Sequence, residues 1–194
     1  RERWTELLAL LREELQQPSN SDERRGSLLY RIGDIYERRL AELPAARESY
    51  RQALDVAPSF RPALRALSRV LRRCEDWREL VRLYEEEFEA TSDRDDQILI
   101  LRRIAELWER HIGDPEAALT AYERLLAIEP SHLPALQALT KIYALGGRWS
   151  DLVGVLRTEA DQTMDRWRRI TLLTEIAAVQ ERHLERQEDA LATY

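Results

Sequence analysis

The sequence contains few of the residues on which several protein classes depend. Its 194 residues include one cysteine, Cys74, which excludes an internal disulfide. Six glycines and two phenylalanines are few for an all-β protein, which needs turn glycines and strand aromatics. The longest aliphatic run covers only residues 98–101, whereas a membrane helix needs about 20 apolar residues. We therefore expect a soluble protein that does not bind membranes, and of the compartments we favour the cytoplasm.

Charges of both signs are abundant, but acids exceed bases. The chain has 36 acidic and 30 basic side chains, a formal charge of −6 and a pI of about 5.3. This balance argues against a nucleic-acid partner. Leu, Ala, Arg and Glu dominate and are good helix formers, so we expect an all-α protein. Lys141 is the single lysine, and this arginine bias suggests a bacterial coding sequence.

Motifs for catalysis and for cofactor binding are missing from the sequence. The only glycine pair, Gly146-Gly147, is typical of a turn between helices and forms no phosphate-binding loop. None of the three histidines occurs in an HExxH motif, a pattern typical of zinc sites. Cys74 has no identifiable base partner. We expect no enzyme activity, no catalytic residue, no cofactor and no metal.

An internal repeat of 72 residues organises the chain. Residues 29–88, shifted by 72, match residues 101–160 at 20 of 60 positions. Within each unit, apolar residues recur at three- and four-residue spacing and are interrupted near prolines, which indicates pairs of amphipathic helices. The predicted helices are 2–17, 23–39, 44–57, 60–73, 77–92, 94–111, 115–129, 132–145, 149–163, 166–184 and 187–194. Ser59, Ser131 and Asp114 are predicted to cap helices.

Two helix pairs share a pattern of small and large apolar residues closed by a proline: Leu29, Ile32, Gly33, Tyr36, Ala46, Tyr50, Ala53 and Pro58, and again Leu101, Ile104, Ala105, Trp108, Ala118, Tyr122 and Pro130. In these positions the helix pairs resemble tetratricopeptide repeats, a 34-residue helix–turn–helix pattern. The intervening pairs are degenerate and lack the closing proline. The resemblance implies an all-α, right-handed α-α superhelix, a solenoid of stacked antiparallel helix pairs.

The repeats predict one solenoid domain over residues 1–194. A partial repeat at 1–18 precedes repeats at about 24–59, 60–93, 94–131 and 132–164, and a second partial repeat covers 166–194. Tyr194 aligns with Tyr122, midway through a second helix. We therefore expect a fragment of a longer, bacterial-type array, which self-associates through uncapped ends. Small residues such as Gly33, Ala46 and Ala118 are expected where helices approach closely.

The resemblance also implies a function. The first helices of the pairs would line a concave groove that binds a peptide or partner segment, so we expect a non-catalytic protein-interaction scaffold. Two alternatives stay open: an RNA-processing scaffold of the half-a-TPR kind, and a regulatory or recruiting segment of a larger enzyme. The candidate contact residues on the first helices are Tyr30, Asp34, Arg65, Arg69, Arg72, Arg73, Arg102 and Glu106.

Five arginines at 61, 65, 69, 72 and 73 form the strongest local charge feature, because their spacing places them on one helical face. In one interpretation they pair with acids of neighbouring helices, which contributes about 0–1 kcal/mol per pair. In the other they bind an acidic or phosphorylated segment of a partner protein. The sequence leaves both open.

Overall fold

Helices make up the regular structure of residues 2–18 and 20–193, which are the residues that the computed structural model describes. Their bounds are α1 (Glu2–Leu15), α2 (Asp22–Ile35), α3 (Leu43–Val56), α4 (Arg61–Arg73), α5 (Trp77–Ala90), α6 (Arg94–Leu107), α7 (Pro115–Ile128), α8 (Leu133–Leu145), α9 (Trp149–Gln162), α10 (Arg166–Arg182) and α11 (Gln187–Thr193). The predicted all-α class is confirmed. The predicted position Tyr194 lies outside the described residues.

Both α2 and α6 end in a π-helical turn at the same repeat position. The turns cover Tyr36–Leu40 and Trp108–Ile112, and with them the predicted helix ends agree to within two residues. Each turn leads into a left-handed residue, Ala41 (φ 59°) or Gly113 (φ 75°). Glycine adopts this conformation without a steric penalty, whereas alanine does not. The same bend therefore costs more conformational free energy with Ala41 in one repeat than with Gly113 in the other.

The helix caps follow the sequence prediction at some ends and depart from it at others. The Asp114 carboxylate accepts a hydrogen bond from the Ala117 backbone N–H at 3.1 Å, as predicted. The predicted caps Ser59 and Ser131 are wrong, because Phe60 and His132 hold the cap positions. The Phe60 ring packs edge-on against Tyr30, with centroids 5.8 Å apart. Tertiary packing therefore places the start of α4 one residue later than local capping preference predicts.

The chain divides into two compact units, residues 1–90 (unit 1) and 91–194 (unit 2). Within unit 1, each of the helices α1 to α5 packs against the next one along the chain. Within unit 2, the helices α6 to α11 pack in the same sequential way. This nearest-neighbour packing is the pattern of a helical-repeat solenoid. The extent of a single domain over residues 1–194 stays a prediction.

Small residues occupy the points of closest helix approach, as predicted. Ala46 and Ala118 are fully buried. A Cβ atom built on Gly33 would lie 2.5 Å from the ring of Tyr50, which is itself fully buried. In unit 2, the buried residues Ala105 and Tyr122 occupy the repeat positions of Gly33 and Tyr50.

Trp4 and Trp149, which share a repeat position, each stack against a nitrogen-containing side chain. The Arg39 guanidinium lies over the Trp4 ring, 4.8 Å from its centroid. In unit 2, the Trp149 and His183 rings stack at 3.8 Å. Trp167, by contrast, is 77% exposed. Over the described residues, none of the helices combines the length and the apolar character needed to cross a membrane.

Candidate functional site

The predicted contact residues fall into two sets. Six of them lie in unit 1, with Tyr30 and Asp34 on α2 and the four arginines on α4. The other two, Arg102 and Glu106, lie on α6 in unit 2. The first set therefore lies on two helices of unit 1, and the second set lies on one helix of unit 2.

Glu37, in the π-helical turn after α2, organises the unit 1 set. Arg69 donates two hydrogen bonds to its carboxylate, from Nε to Oε1 at 2.8 Å and from the second guanidinium nitrogen to Oε2 at 2.7 Å. Arg73 approaches Oε1 at 3.5 Å, and the Tyr50 hydroxyl donates to Oε2 at 2.9 Å. Glu37 is only 6% exposed, so a buried carboxylate is held by two arginines and a tyrosine.

The electrostatics of this cluster follow from its contacts. The hydrogen bond from Arg69 lowers the pKa of Glu37, against the opposing effect of burial, and the hydrogen bond from Tyr50 adds to the lowering. Burial, followed by the hydrogen bond to Glu37, raises the pKa of Tyr50. The hydrogen bond that Arg69 donates to Glu37 also raises the pKa of Arg69. Glu37 is therefore a fixed anion that positions Arg69.

The other arginines of α4 are less constrained. Arg72 donates to the Tyr84 hydroxyl at 2.6 Å. The Arg73 side chain is 54% exposed, and its contact with Glu37 is long. Arg65 is exposed, and within the described residues its guanidinium makes no hydrogen bond or ion pair. We name the exposed surface formed by Arg65, Arg72 and Arg73 the arginine face.

Tyr30 and Asp34 are largely engaged within unit 1. Tyr30 packs against Phe60 and also against Tyr50, whose ring centroid lies 5.7 Å away. The Asp34 carboxylate accepts an ion pair from Arg38 at 2.7 Å. These two predicted contact residues have internal partners, whereas the arginine face keeps hydrogen-bond donors available.

Arg102 lies in an open cleft of about 330 Å³ in unit 2. Ile98 and Leu99 form its apolar wall, and Asp95, Glu129 and His132 complete the lining. Arg102 and His132 occupy the repeat positions of Tyr30 and Phe60 in unit 1, whose rings pack edge-on. Glu106 lies one turn along α6, close to Glu109, and the Glu109 carboxylate accepts a hydrogen bond from Tyr122 at 2.7 Å.

A second cleft in unit 2, of about 410 Å³, lies beside the N-terminal ends of α8 and α10. Its lining consists of Ser131, Leu133, Leu136, Glu159, Gln162, Thr163, Asp165 and Arg168. Glu159 is only 3% exposed and pairs with Arg168 at 2.7 Å. We name this feature the Glu159 cleft. Among the described residues, no group of three or more His, Cys, Asp or Glu has an arrangement that could hold a metal ion.

The sequence prediction did not include two structural features, the glutamate–tyrosine pairs and the buried Glu159. Glu37 and Tyr50 recur as Glu109 and Tyr122 with the same spacing of 13 residues, and this repeated pair was a signal of their hydrogen bond. Glu159 lies on the same helical face as the buried Leu152 and Leu156, where a carboxylate is unusual. An acid within an apolar stripe marks a side chain that needs a partner.

Comparison with known families identifies the repeats. Two family models, both described as tetratricopeptide repeat, match residues 26–60 and 63–98. The predicted repeat bounds at 24–59 and 60–93 stay predictions. No curated protein matches the sequence.

Several solved structures are similar in arrangement. YrrB, described as a TPR protein with an unusual peptide-binding site, is 16% identical with a TM-score of 0.47, over 86% of this chain and 81% of that chain. MamA is 15% identical with a TM-score of 0.48, over 87% of each chain. A tetratricopeptide repeat protein from Parabacteroides merdae is 16% identical with a TM-score of 0.47, over 98% of this chain and 69% of that chain.

Proposed function

This chain is a tetratricopeptide-repeat protein, and from that premise we propose that it is a non-catalytic scaffold which binds a partner protein on the exposed faces of its first helices. Stacked helix pairs of this kind present extended surfaces to other chains. The finer proposal concerns unit 1, where the arginine face of α4 binds an acidic segment of the partner.

The observation that carries the finer proposal is an imbalance of charge on α4. The sequence of α4 contains five arginines and no acidic residue, and Arg69 and Arg73 share the Glu37 carboxylate. Both oxygens of Glu37 are already occupied by Arg69 and Tyr50. The guanidinium groups of the arginine face therefore keep donors that carboxylates or phosphates match well.

The arginines of α4 have two different proposed roles, positioning the helix and contacting the partner. Arg69 is a positioning residue, because its bidentate contact ties α4 to the end of α2. Arg65 and Arg73 are the proposed contacts, since one has no internal partner in the described residues and the other has only a long one. A substitution of Arg69 would change stability and binding together, so it does not belong in the test.

The test measures binding of a fluorescein-labelled dodecapeptide of Asp, Glu and Gly by fluorescence anisotropy. We expect the Arg65→Gln/Arg73→Gln variant to bind about tenfold more weakly, because two charge-assisted contacts are lost. The matched control is Arg78→Gln/Arg82→Gln on α5, which removes the same charge from a second helix. Equal losses in both variants, or no binding by the wild type, would contradict the acidic-segment proposal.

The RNA-processing alternative is separated by the same measurement with labelled oligouridylate. Binding driven by phosphate weakens steeply with salt. We expect no RNA binding at physiological salt, and tight binding with a steep salt dependence would favour the alternative. A recruiting role within a larger enzyme uses the same surface, and co-purification of a catalytic activity with the wild-type chain but not with the Arg65→Gln/Arg73→Gln variant would indicate it.

A further inference from the structure

The Glu159 cleft differs in chemistry from the arginine face and lies in the other unit. Its base holds the buried carboxylate of Glu159, and Leu133 and Leu136 form an apolar wall. Leu133 is 46% exposed although it is a large apolar side chain. The cleft therefore combines an aliphatic surface with a carboxylate.

One oxygen of Glu159 is left without a hydrogen bond. Both contacts from Arg168, at 3.1 Å from Nε and 2.7 Å from the terminal nitrogen, end on Oε1. Within the part of the chain that the structure describes, no donor reaches Oε2. Glu37 is the contrasting case, since its two oxygens are both bonded. A carboxylate can accept hydrogen bonds at both oxygens, so Oε2 keeps the capacity to bind a further donor.

The charges of the cleft favour a positive ligand. Glu159 and Asp165 contribute two negative charges and Arg168 one positive charge, so the lining has a formal charge of −1. Asp165 uses Oδ1 to cap α10, accepting from the Trp167 backbone N–H at 2.8 Å. Ser131 and Thr163 add hydroxyl acceptors.

We propose that the Glu159 cleft binds a basic side chain, lysine or arginine, of a partner segment. The cationic head donates to Oε2 of Glu159, and the methylene stem lies along Leu133 and Leu136. Long basic side chains pack their stems against apolar surface in this way. The site goes beyond the proposed function, because it lies in unit 2 and takes a ligand of the opposite charge.

The experiment titrates the full chain with N-acetyl-lysine methylamide and follows the leucine methyl signals by NMR. N-acetyl-arginine methylamide tests the second cation, and N-acetyl-norleucine methylamide has the aliphatic stem without the charge. We expect saturable shifts at Leu133 and Leu136 with at least one cationic probe and none with norleucine. Equal shifts with norleucine, or none with either cation, would overturn the proposal.

Two variants locate the binding. Glu159→Gln keeps the shape of the side chain but removes its charge, and we expect binding about tenfold weaker. Asp165→Ser keeps a good N-cap residue while removing the other negative charge, so it tests the proposal even if the first variant fails to fold. Glu109→Gln is the control within unit 2 and should bind as the wild type does. Binding that is unchanged in both cleft variants would show that the cation does not use this site.

Discussion

The two units have the same glutamate and tyrosine at the same repeat positions, yet the two glutamates have different environments. In unit 1, Glu37 is 6% exposed and is held by Tyr50, Arg69 and Arg73. In unit 2, Glu109 is exposed, and its described hydrogen bond comes from Tyr122 alone. An identical pair of side chains is therefore a buried, clamped centre in one copy and a surface contact in the other.

The two glutamates differ in environment because the first helix of the following repeat has different residues in each unit. The positions of Arg69 and Arg73 on α4 are taken by Lys141 and Leu145 on α8. Leu145 is 90% exposed and offers no donor. The comparison teaches that the repeat sets the backbone and the tyrosine–glutamate bond, while the following helix decides whether the carboxylate is clamped.

The largest effect on stability is expected when the negative charge of Glu37 is removed, and the same change at Glu109 is the comparison. We expect Glu37→Gln to lower the free energy of unfolding by about 2 kcal/mol, because Arg69 and the Tyr50 hydroxyl lose a charged acceptor. The loss stays below that of a fully buried pair, since Arg69 is itself 44% exposed. Glu109→Gln should cost less than about 0.5 kcal/mol. Urea unfolding measures both, and similar losses would contradict the proposed difference.

The second prediction compares two glycines inside helices. Gly33→Ala should destabilise the protein by about 1–2 kcal/mol, because the new methyl meets the buried Tyr50 ring. Gly154→Ala in α9 should stabilise it by about 1 kcal/mol, because nothing lies within 4 Å of the added Cβ atom and alanine is the better helix former. Thermal and urea unfolding give the signs. If Gly33→Ala increased stability, the Tyr50 ring would have to shift away from the new methyl group at little cost, which would contradict the prediction.

The third prediction concerns how the stability contributed by Glu37 depends on pH. The folded state lowers the pKa of Glu37 below its ordinary value of 4.5, chiefly through the hydrogen bond from Arg69. A lowered carboxyl pKa contributes stability that is complete above pH 4.5 and is lost as the pH falls through the folded-state pKa. The difference in stability between wild type and Glu37→Gln should therefore shrink below pH 4.5. A constant difference from pH 7 down to acid would contradict the assignment. Glu109→Gln serves as the control.

The smallest expected effect concerns the bend after the π-helical turns. Ala41→Gly should raise stability by about 0.5 kcal/mol, because glycine adopts the left-handed conformation of φ 59° without strain. Gly113→Ala in unit 2 should lower stability by about 1 kcal/mol for the converse reason. Differential scanning calorimetry resolves both changes. A loss of stability in Ala41→Gly would show that the entropy of the unfolded chain outweighs the strain.

Much of the fold was predictable because it depends on local patterns. Apolar spacing and proline positions gave helix bounds close to those observed, and small residues marked the helix contacts. The cap at Ser59 was not predictable, since Phe60 holds the cap position and contacts Tyr30, a residue far away in sequence. At Ser131, the neighbouring His132 holds the cap position and accepts a local hydrogen bond from the Ala135 backbone N–H. Candidate residues such as Tyr30 were placed on the correct helices, but their internal partners were not visible in the pattern.

The sequence by itself determined the repeat, the helix pairs and the concentration of arginine on α4, because periodicity and helix propensity act over a few residues. Only the tertiary structure decided which charges are neutralised inside the protein. Arg69 meets Glu37 across 32 residues, while Oε2 of Glu159 finds no donor at all in the described chain. Such pairings depend on distances between helices, and these distances are fixed by side-chain packing that no local pattern encodes.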